Sequence, residues 1–223
     1  MNIALIIARS GSKRIKNKNI KLFFGQPVIA YSIKTALRSK IFSRVIVSTE
    51  SQKISKISIK NGAEIAFKRP KNLADDKTST IDVIKHAINK LSLNKKRINI
   101  CCIYPVTPLL EKKILIRGFN KFRKLNADFL VTILKKKETK NRSFFIKQNG
   151  FLQETKNKRK TLYQDAGQFY WGKSQSLLKF SSMFKGKVAP LVILEKNGID
   201  VNTIKDWKKL TKLYKQTNET IKV

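Results

Sequence analysis

The chain is predicted to be an α/β protein, a mostly parallel sheet covered by helices on both faces in a three-layer αβα arrangement. Two observations carry that expectation. Short, continuous apolar runs (NIALIIA, RVIVST, INICCIY) alternate with segments of helical spacing, as strands buried on both faces and joined by crossover helices do. The chain has 223 residues and no internal repeat, which suits one sizeable domain over 1–223 with its own core.

The elements follow in order. NIALIIA reads as the opening strand: it is short, has no basic region before it and runs into a Gly/Ser/Lys loop, unlike a signal peptide. PVIAYSIKTALRSK opens with Pro27 in a first-turn position and has helical spacing at Val28, Tyr31, Ile33 and Leu37. RVIVST is a second strand, followed by the helix SQKISKISIKNG, which stops at Gly62. AEIAF is expected as a short third strand, and TSTIDVIKHAINKL as a helix capped by Thr or Ser. INICCIY, the helix EKKILIRGFNKFRKL and the strand ADFLVTIL continue the alternation. From about 135 to 165 the pattern changes to lysine-rich loops around SFFIKQNGFLQ, whose Asn149–Gly150 pair signals a hairpin. That segment is expected as an insertion, serving as an interface or a substrate lid. GQFYWG, KVAPLVIL and a final helix, TIKDWKKLTKLYKQ, return to the core.

Composition narrows the function classes. The two cysteines, Cys101 and Cys102, are adjacent in a strand and point to opposite faces, so they form neither a disulfide nor a metal signature. The single histidine, His86, argues against a zinc site or a Ser–His–Asp triad and reads as structural or surface. No apolar run reaches about 18 residues, so no membrane-spanning helix and a cytoplasmic protein are expected. The formal net charge is +35. The lysines are scattered instead of forming one tract, and the runs at 135–137 and 156–160 read as solvated loops. No aromatic-interleaved basic motif accompanies them, so nucleic-acid binding is the less favoured partner class.

The chemistry concentrates in the loop after the first strand, Ala8-Arg9-Ser10-Gly11-Ser12-Lys13-Arg14, then Lys18-Asn19. Loops at the carboxyl ends of parallel strands are where α/β proteins bind ligands. Gly11 and the two serines allow backbone N–H groups to approach an anion, while Arg9, Lys13 and Lys18 supply full charges, a combination suited to a triphosphate. The sequence is neither a Walker A motif nor GxGxxG. Alone, it also reads as a basic surface loop.

ARSGSKRIKNKNI, followed by GQPVIAYSI, VIVSTE and FKRPKNLADD, resembles in order and spacing the CMP-nonulosonate synthetases, or acylneuraminate cytidylyltransferases. YQDAGQFYWG at 163–172 is similar to a block of that family's pseudaminic acid branch. The resemblance implies a Rossmann-like nucleotide-diphospho-sugar transferase fold that transfers CMP from CTP to an acidic nine-carbon sugar and releases pyrophosphate. It implies that Arg9, Ser12, Lys13 and Lys18, assisted by Asn19, face the CTP phosphates. Cytosine and ribose fall near Ala8, Arg69, Thr78 and Thr80, although Arg69 before Pro70 also reads as a basic residue at a turn. The sugar falls near Tyr104, Asp165, Gln168 and Tyr170, although QFYWG alone reads as a core strand. Gly198-Ile199-Asp200-Val201-Asn202 resembles a segment whose two aspartates hold Mg²⁺, so Asp200 is the expected ligand and Asn202 stands at the second position without its charge. Asp206 reads as an early helix residue facing the dipole. The chain departs from the family pattern at Ser10, Lys16 and Gln164 as well. A homodimer is implied. The alternatives are another sugar acid (neuraminic or legionaminic), a weakly active nucleotide-binding homologue suggested by Asn202, and a polyanion-binding protein.

Overall fold

The computed structural model describes residues 1–93, 97–136, 142–156 and 161–219. Its strands are β1 (Asn2–Ile7), β2 (Leu22–Phe23), β3 (Gln26–Pro27), β4 (Arg44–Ser48), β5 (Asn99–Ile103), β6 (Phe129–Lys136), β7 (Ser143–Ile146), β8 (Leu152–Thr155), β9 (Leu162–Lys173) and β10 (Val188–Val192). Its helices are α1 (Val28–Ser39), α2 (Gln52–Lys60), α3 (Thr80–Lys90), α4 (Lys112–Lys124), α5 (Ser174–Lys179) and α6 (Ile204–Glu219). The main sheet has the order β10-β6-β9-β5-β1-β4. Strands β4, β1 and β5 pair in parallel, as do β10 and β6, while β9 runs antiparallel between β5 and β6. The expected α/β class and mostly parallel sheet are observed.

The apolar runs split by parity. Ala4 and Ile6 of β1 pack into one core with α1, α2 and α4, whereas Ile3 and Leu5 pack into another with α3 and α5. Cys101 and Cys102 divide the same way, both wholly buried, so opposite faces keep them apart. A third cluster joins α6 to the β2–β3 hairpin through Trp207, Tyr214 and Phe23.

Several expectations are corrected. Ala63–Phe67 is not a strand: only Glu64 bridges β4, through Val47 N–H to Glu64 O (2.9 Å) and Glu64 N–H to Val45 O (2.8 Å). The chain then turns inward so that Arg69 N–H reaches Thr49 O. Pro27 precedes the first turn of α1 and ends the unanticipated β2–β3 hairpin. Leu37 lies exposed while Ile29, Ile33 and Ala36 form the buried face of α1. Lys135 and Lys136 belong to β6, not to a loop. Residue 137 and residues 157–160 of the two basic runs lie outside the described residues, as do 138–141 of the expected insertion.

The Asn149–Gly150 turn does close a hairpin. Gly150 has φ +81, a conformation glycine adopts without strain, and its N–H donates to Lys147 O at 2.9 Å. Strands β7 and β8 pair along four residues, and β7 touches β9 through Phe144 opposite Tyr163.

One irregularity shapes the site. Val131 of β6 faces Tyr170 of β9 and Ile133 faces Asp165, so Thr132 alone faces the four residues Ala166–Phe169. Such bulges occur beside active sites because they re-aim side chains. The Thr132 hydroxyl donates to Phe169 O at 3.2 Å and so satisfies part of the disrupted ladder.

Candidate active site

A cleft of about 610 Å³ opens where β1 and β5 end, between the loop at 9–19, the segment 69–80, the β9 bulge and residues 199–202. This is the position expected for a ligand in an open α/β sheet. The cations Arg9, Lys13 and Lys18 line it with Ser12 and Asn19, and Arg69, Thr78, Thr80 and Tyr104 continue the wall. Asp165, Tyr170, Asp200 and Asn202 line it as well.

Each part of the basic loop is held by a specific partner. The buried Asn19 amide donates to Arg9 O at 2.9 Å. Lys18 Nζ donates to Val201 O at 2.7 Å and ties the loop to the segment carrying Asp200. Burial pushes the Lys18 ammonium down from its ordinary value, and the negative Asp200 opposes that. Asp76 pairs with both Arg9 and Lys13, the latter at 2.8 Å. Lys13 and Arg9 together hold its carboxyl down at about 2.

Ala8, Ser10 and Gly11 do not line the cleft. Ala8 is buried, and its carbonyl accepts from Arg69 Nη2 at 2.6 Å. Ser10 turns to Glu50 instead of toward an anion: its N–H and hydroxyl reach Glu50 Oε1 at 2.6 and 2.7 Å. Arg69 is not a surface turn residue. It is 3% exposed and pairs with Glu50 at 3.1 Å. Burial pushes the guanidinium down and Glu50 pulls it back up, while its buried Nε has no protein partner.

The Thr78 hydroxyl and N–H close on Asp75 Oδ1 at 2.6 and 2.7 Å, shaping the turn into α3. Ser79 caps that helix by accepting from Asp82 N–H. Thr80 Oγ1 lies 2.8 Å from the Tyr104 hydroxyl, and the Tyr104 ring meets the edge of Tyr170 at 5.7 Å. Tyr170 donates its hydroxyl to Asp165 Oδ2 at 2.6 Å, and Gly167 N–H reaches Asp165 Oδ1 at 3.1 Å. Burial raises the Asp165 carboxyl, these hydrogen bonds oppose it, and negative Asp200 adds to the rise. Burial also raises both tyrosine hydroxyls, so they stay neutral donors.

Asp200 and Asn202 project to one side, and the Asn202 amide donates to Asp200 Oδ2 at 2.6 Å. Among the described residues, no group of three or more His, Cys, Asp and Glu side chains gathers around a metal position. Asp206 pairs reciprocally with Thr203, whose N–H it accepts at 2.7 Å and whose Oγ1 accepts from Asp206 N–H at 3.2 Å. That capping box makes Asp206 a helix-start residue. Gln168 is 2% exposed and does not line the cleft, its amide donating to backbone carbonyls. His86 stacks its edge on Phe67 at 5.3 Å, and burial pushes it down.

Sequence reasoning gave no role to Glu50, Asp75 or Asp76. A signal existed in part. VIVSTE and LADD place carboxylates beside a loop rich in cations, and a buried guanidinium demands an anionic partner.

Residues 3–217 match the cytidylyltransferase family. The chain is 36% identical over 228 residues to a pseudaminic acid cytidylyltransferase of Campylobacter jejuni, with 98% of each chain covered. It is 36% identical over 215 residues to a Helicobacter pylori protein named as pseudaminic acid cytidylyltransferase and UDP-2,4-diacetamido-2,4,6-trideoxy-beta-L-altropyranose hydrolase, covering 93% of this chain and 41% of that one. Its fold is similar to a CMP:2-keto-3-deoxy-manno-octonic acid synthetase solved with CTP, at a TM-score of 0.78 and 14% identity over 97% of this chain and 99% of the other. A nucleotide-sized cleft under a basic loop, on a fold of this kind and with kinship along the whole chain, leads to one assignment: the protein belongs to the cytidylyltransferase family.

Proposed function

We propose that the protein transfers CMP from CTP to the anomeric hydroxyl of a nonulosonic acid, pseudaminic acid, and releases pyrophosphate. The observation that carries this reading is one cleft that joins two kinds of group: the cations Arg9, Lys13 and Lys18 near Asp200, and the hydrogen-bonding pair Asp165 and Tyr170. A triphosphate matches the cations, and a polyhydroxylated, N-acylated sugar matches hydrogen-bonding groups such as Asp165. The full-length kinship to a pseudaminic acid enzyme favours that sugar over its relatives.

The attacking hydroxyl oxygen bonds to the α-phosphorus, the bond to the pyrophosphate oxygen breaks with its electron pair leaving on pyrophosphate, and the hydroxyl proton passes to solvent water. Positioning and charge neutralisation dominate such chemistry. Arg9 and Lys13 exchange Asp76 for phosphate oxygens, and Lys18 holds the nucleotide against the Asp200 segment. The Arg69 guanidinium, Thr78 and Thr80, which line the cleft, take the cytosine–ribose end. Tyr104 walls the sugar subsite.

Asp200 is an exposed carboxylate on the cleft, and Asn202 beside it offers a carbonyl oxygen. That donor set fits Mg²⁺, which keeps waters and takes one or two carboxylates plus phosphate oxygens. When bound there, Mg²⁺ would supply phosphate-charge neutralisation. The β7–β8 hairpin is read as part of an insertion that serves a homodimer interface or a lid, and the protein as cytoplasmic; no described helix is long and apolar enough to cross a membrane.

The test incubates the protein with CTP, Mg²⁺ and a panel of pseudaminic, legionaminic and neuraminic acids, measuring pyrophosphate and CMP-sugar. Preferred turnover of pseudaminic acid is expected. Turnover of a different acid reassigns the sugar, and CTP binding without turnover favours the weakly active homologue that Asn202 suggests.

A further inference from the structure

The Gln168 side chain is buried where a sugar ligand cannot reach its amide. Its Nε2 donates to Ala166 O at 3.0 Å, Gly167 O at 3.3 Å and Ile199 O at 3.2 Å. The first two carbonyls belong to the β9 bulge, and the third precedes Asp200 directly. Tyr104 N–H donates to Gln168 O at 3.0 Å, so the residue is also fixed to the chain leaving β5. Gln168 is thus a clamp between two segments that are not paired as strands.

Gly167 completes the clamp. At φ +58 it adopts a conformation disfavoured for side-chain-bearing residues, and a Cβ there would lie 3.6 Å from Asp200 Cγ. The Asp200 carboxylate packs over the bare glycine, whose N–H is held by Asp165. Backbone, glycine and amide together set where Asp200 stands.

Resting on the reading of the cleft above, we infer that Gln168 is a positioning residue for Asp200 and hence for the metal–nucleotide end of the site, not a sugar-binding residue. Loss of a group that orients a ligating side chain lowers metal affinity or activity on the order of 10–100-fold. The loss falls on metal–CTP binding and on kcat, and leaves KM for the sugar acid unchanged.

The test uses Gln168→Met, which keeps the volume and removes both donors. Binding of preformed Mn²⁺–CTP to the protein, without sugar acid, is read by calorimetric titration, alongside kcat and both KM values. Weaker Mn²⁺–CTP binding, on the order of tenfold or more, with unchanged KM for the sugar acid is expected. A raised KM for the sugar acid with unchanged Mn²⁺–CTP binding overturns the inference, as does a variant indistinguishable from wild type. Should Gln168→Met fail to fold, Gly167→Ala strains the positive-φ backbone whose carbonyl Gln168 holds beside Asp200, and must likewise weaken Mn²⁺–CTP binding; normal Mn²⁺–CTP binding in that variant overturns the inference equally. The binding readout needs no turnover, so a wild-type protein that binds Mn²⁺–CTP but converts no sugar acid counts against the proposed reaction alone.

Discussion

Asn202 donates its side-chain amide to Asp200 Oδ2 across 2.6 Å, placing both residues at the mouth of one cleft. The amide stabilises the carboxylate without adding a second negative charge. In the apo protein this pairing avoids the like-charge repulsion that two neighbouring carboxylates would create.

Asn202→Asp is therefore expected to change two properties in opposite directions. Apparent Mg²⁺ affinity in the presence of CTP rises about tenfold with the added ligand charge, and thermal stability without metal falls. A titration of activity against Mg²⁺ and a melting curve with and without Mg²⁺ check both. Unchanged affinity would show that the second carboxylate is not limiting.

Asp76 occupies Arg9 and Lys13 before any phosphate arrives. Asp76→Asn should strengthen CTP binding at low ionic strength, and the gain should shrink as salt screens the exposed charges. Because the carboxyl is held at about 2 by Lys13 and Arg9, the pairing is complete above the ordinary Asp value and is lost only as pH falls through that low value. The effect of the variant on CTP binding should therefore be flat between pH 6 and 8. Calorimetric titration at two salt concentrations reads it.

The Arg69–Glu50 pair is the most buried ion pair of the site, with side chains 3% and 11% exposed. Removing one partner of such a pair costs about 3 kcal/mol because the other charge stays buried and unpaired. Glu50→Ala should lose that much in urea unfolding at pH 7, and adding Arg69→Met should recover part of it. Burial alone would raise the Glu50 carboxyl, yet hydrogen bonds from Ser10 and Arg69 bring it below its ordinary value. Its contribution is full above that ordinary value and disappears as pH falls through the depressed one, so the difference between wild type and variant narrows in acid.

Asp165 behaves oppositely. Burial raises its carboxyl, so the folded state is penalised increasingly as pH climbs through the raised value. Asp165→Asn should gain stability relative to wild type on going from pH 4 to pH 8, measured by melting temperature. It should also raise KM for the sugar acid about tenfold, the size of one lost hydrogen bond to a charged acceptor.

Much of this architecture was legible locally. Continuous apolar runs marked the main parallel strands, and Ser79 and Gly150 acted through their own neighbourhoods as cap and turn. The position of the basic loop followed from strand–loop–helix order, since such a loop must emerge at the carboxyl end of the sheet. AEIAF failed because one bridge to β4 was all the edge accepted before the chain turned inward to bury Arg69.

The site's interior orientation was not legible, and parity explains why. Asp165 and Tyr170 are five positions apart, an odd offset, so regular alternation would send them to opposite faces. The bulge opposite Thr132 breaks the alternation; both reach the cleft and bond at 2.6 Å, while Gln168 turns inward. Likewise Ser10 meets Glu50 across 40 residues, and Lys18 meets Val201 across 183. The sequence by itself determined the fold class, the family and which loop carries the cations. Tertiary structure alone decided which of those polar groups face a ligand and which hold the walls in place, because the partners that claim each donor are distant along the chain and meet only when the sheet is assembled.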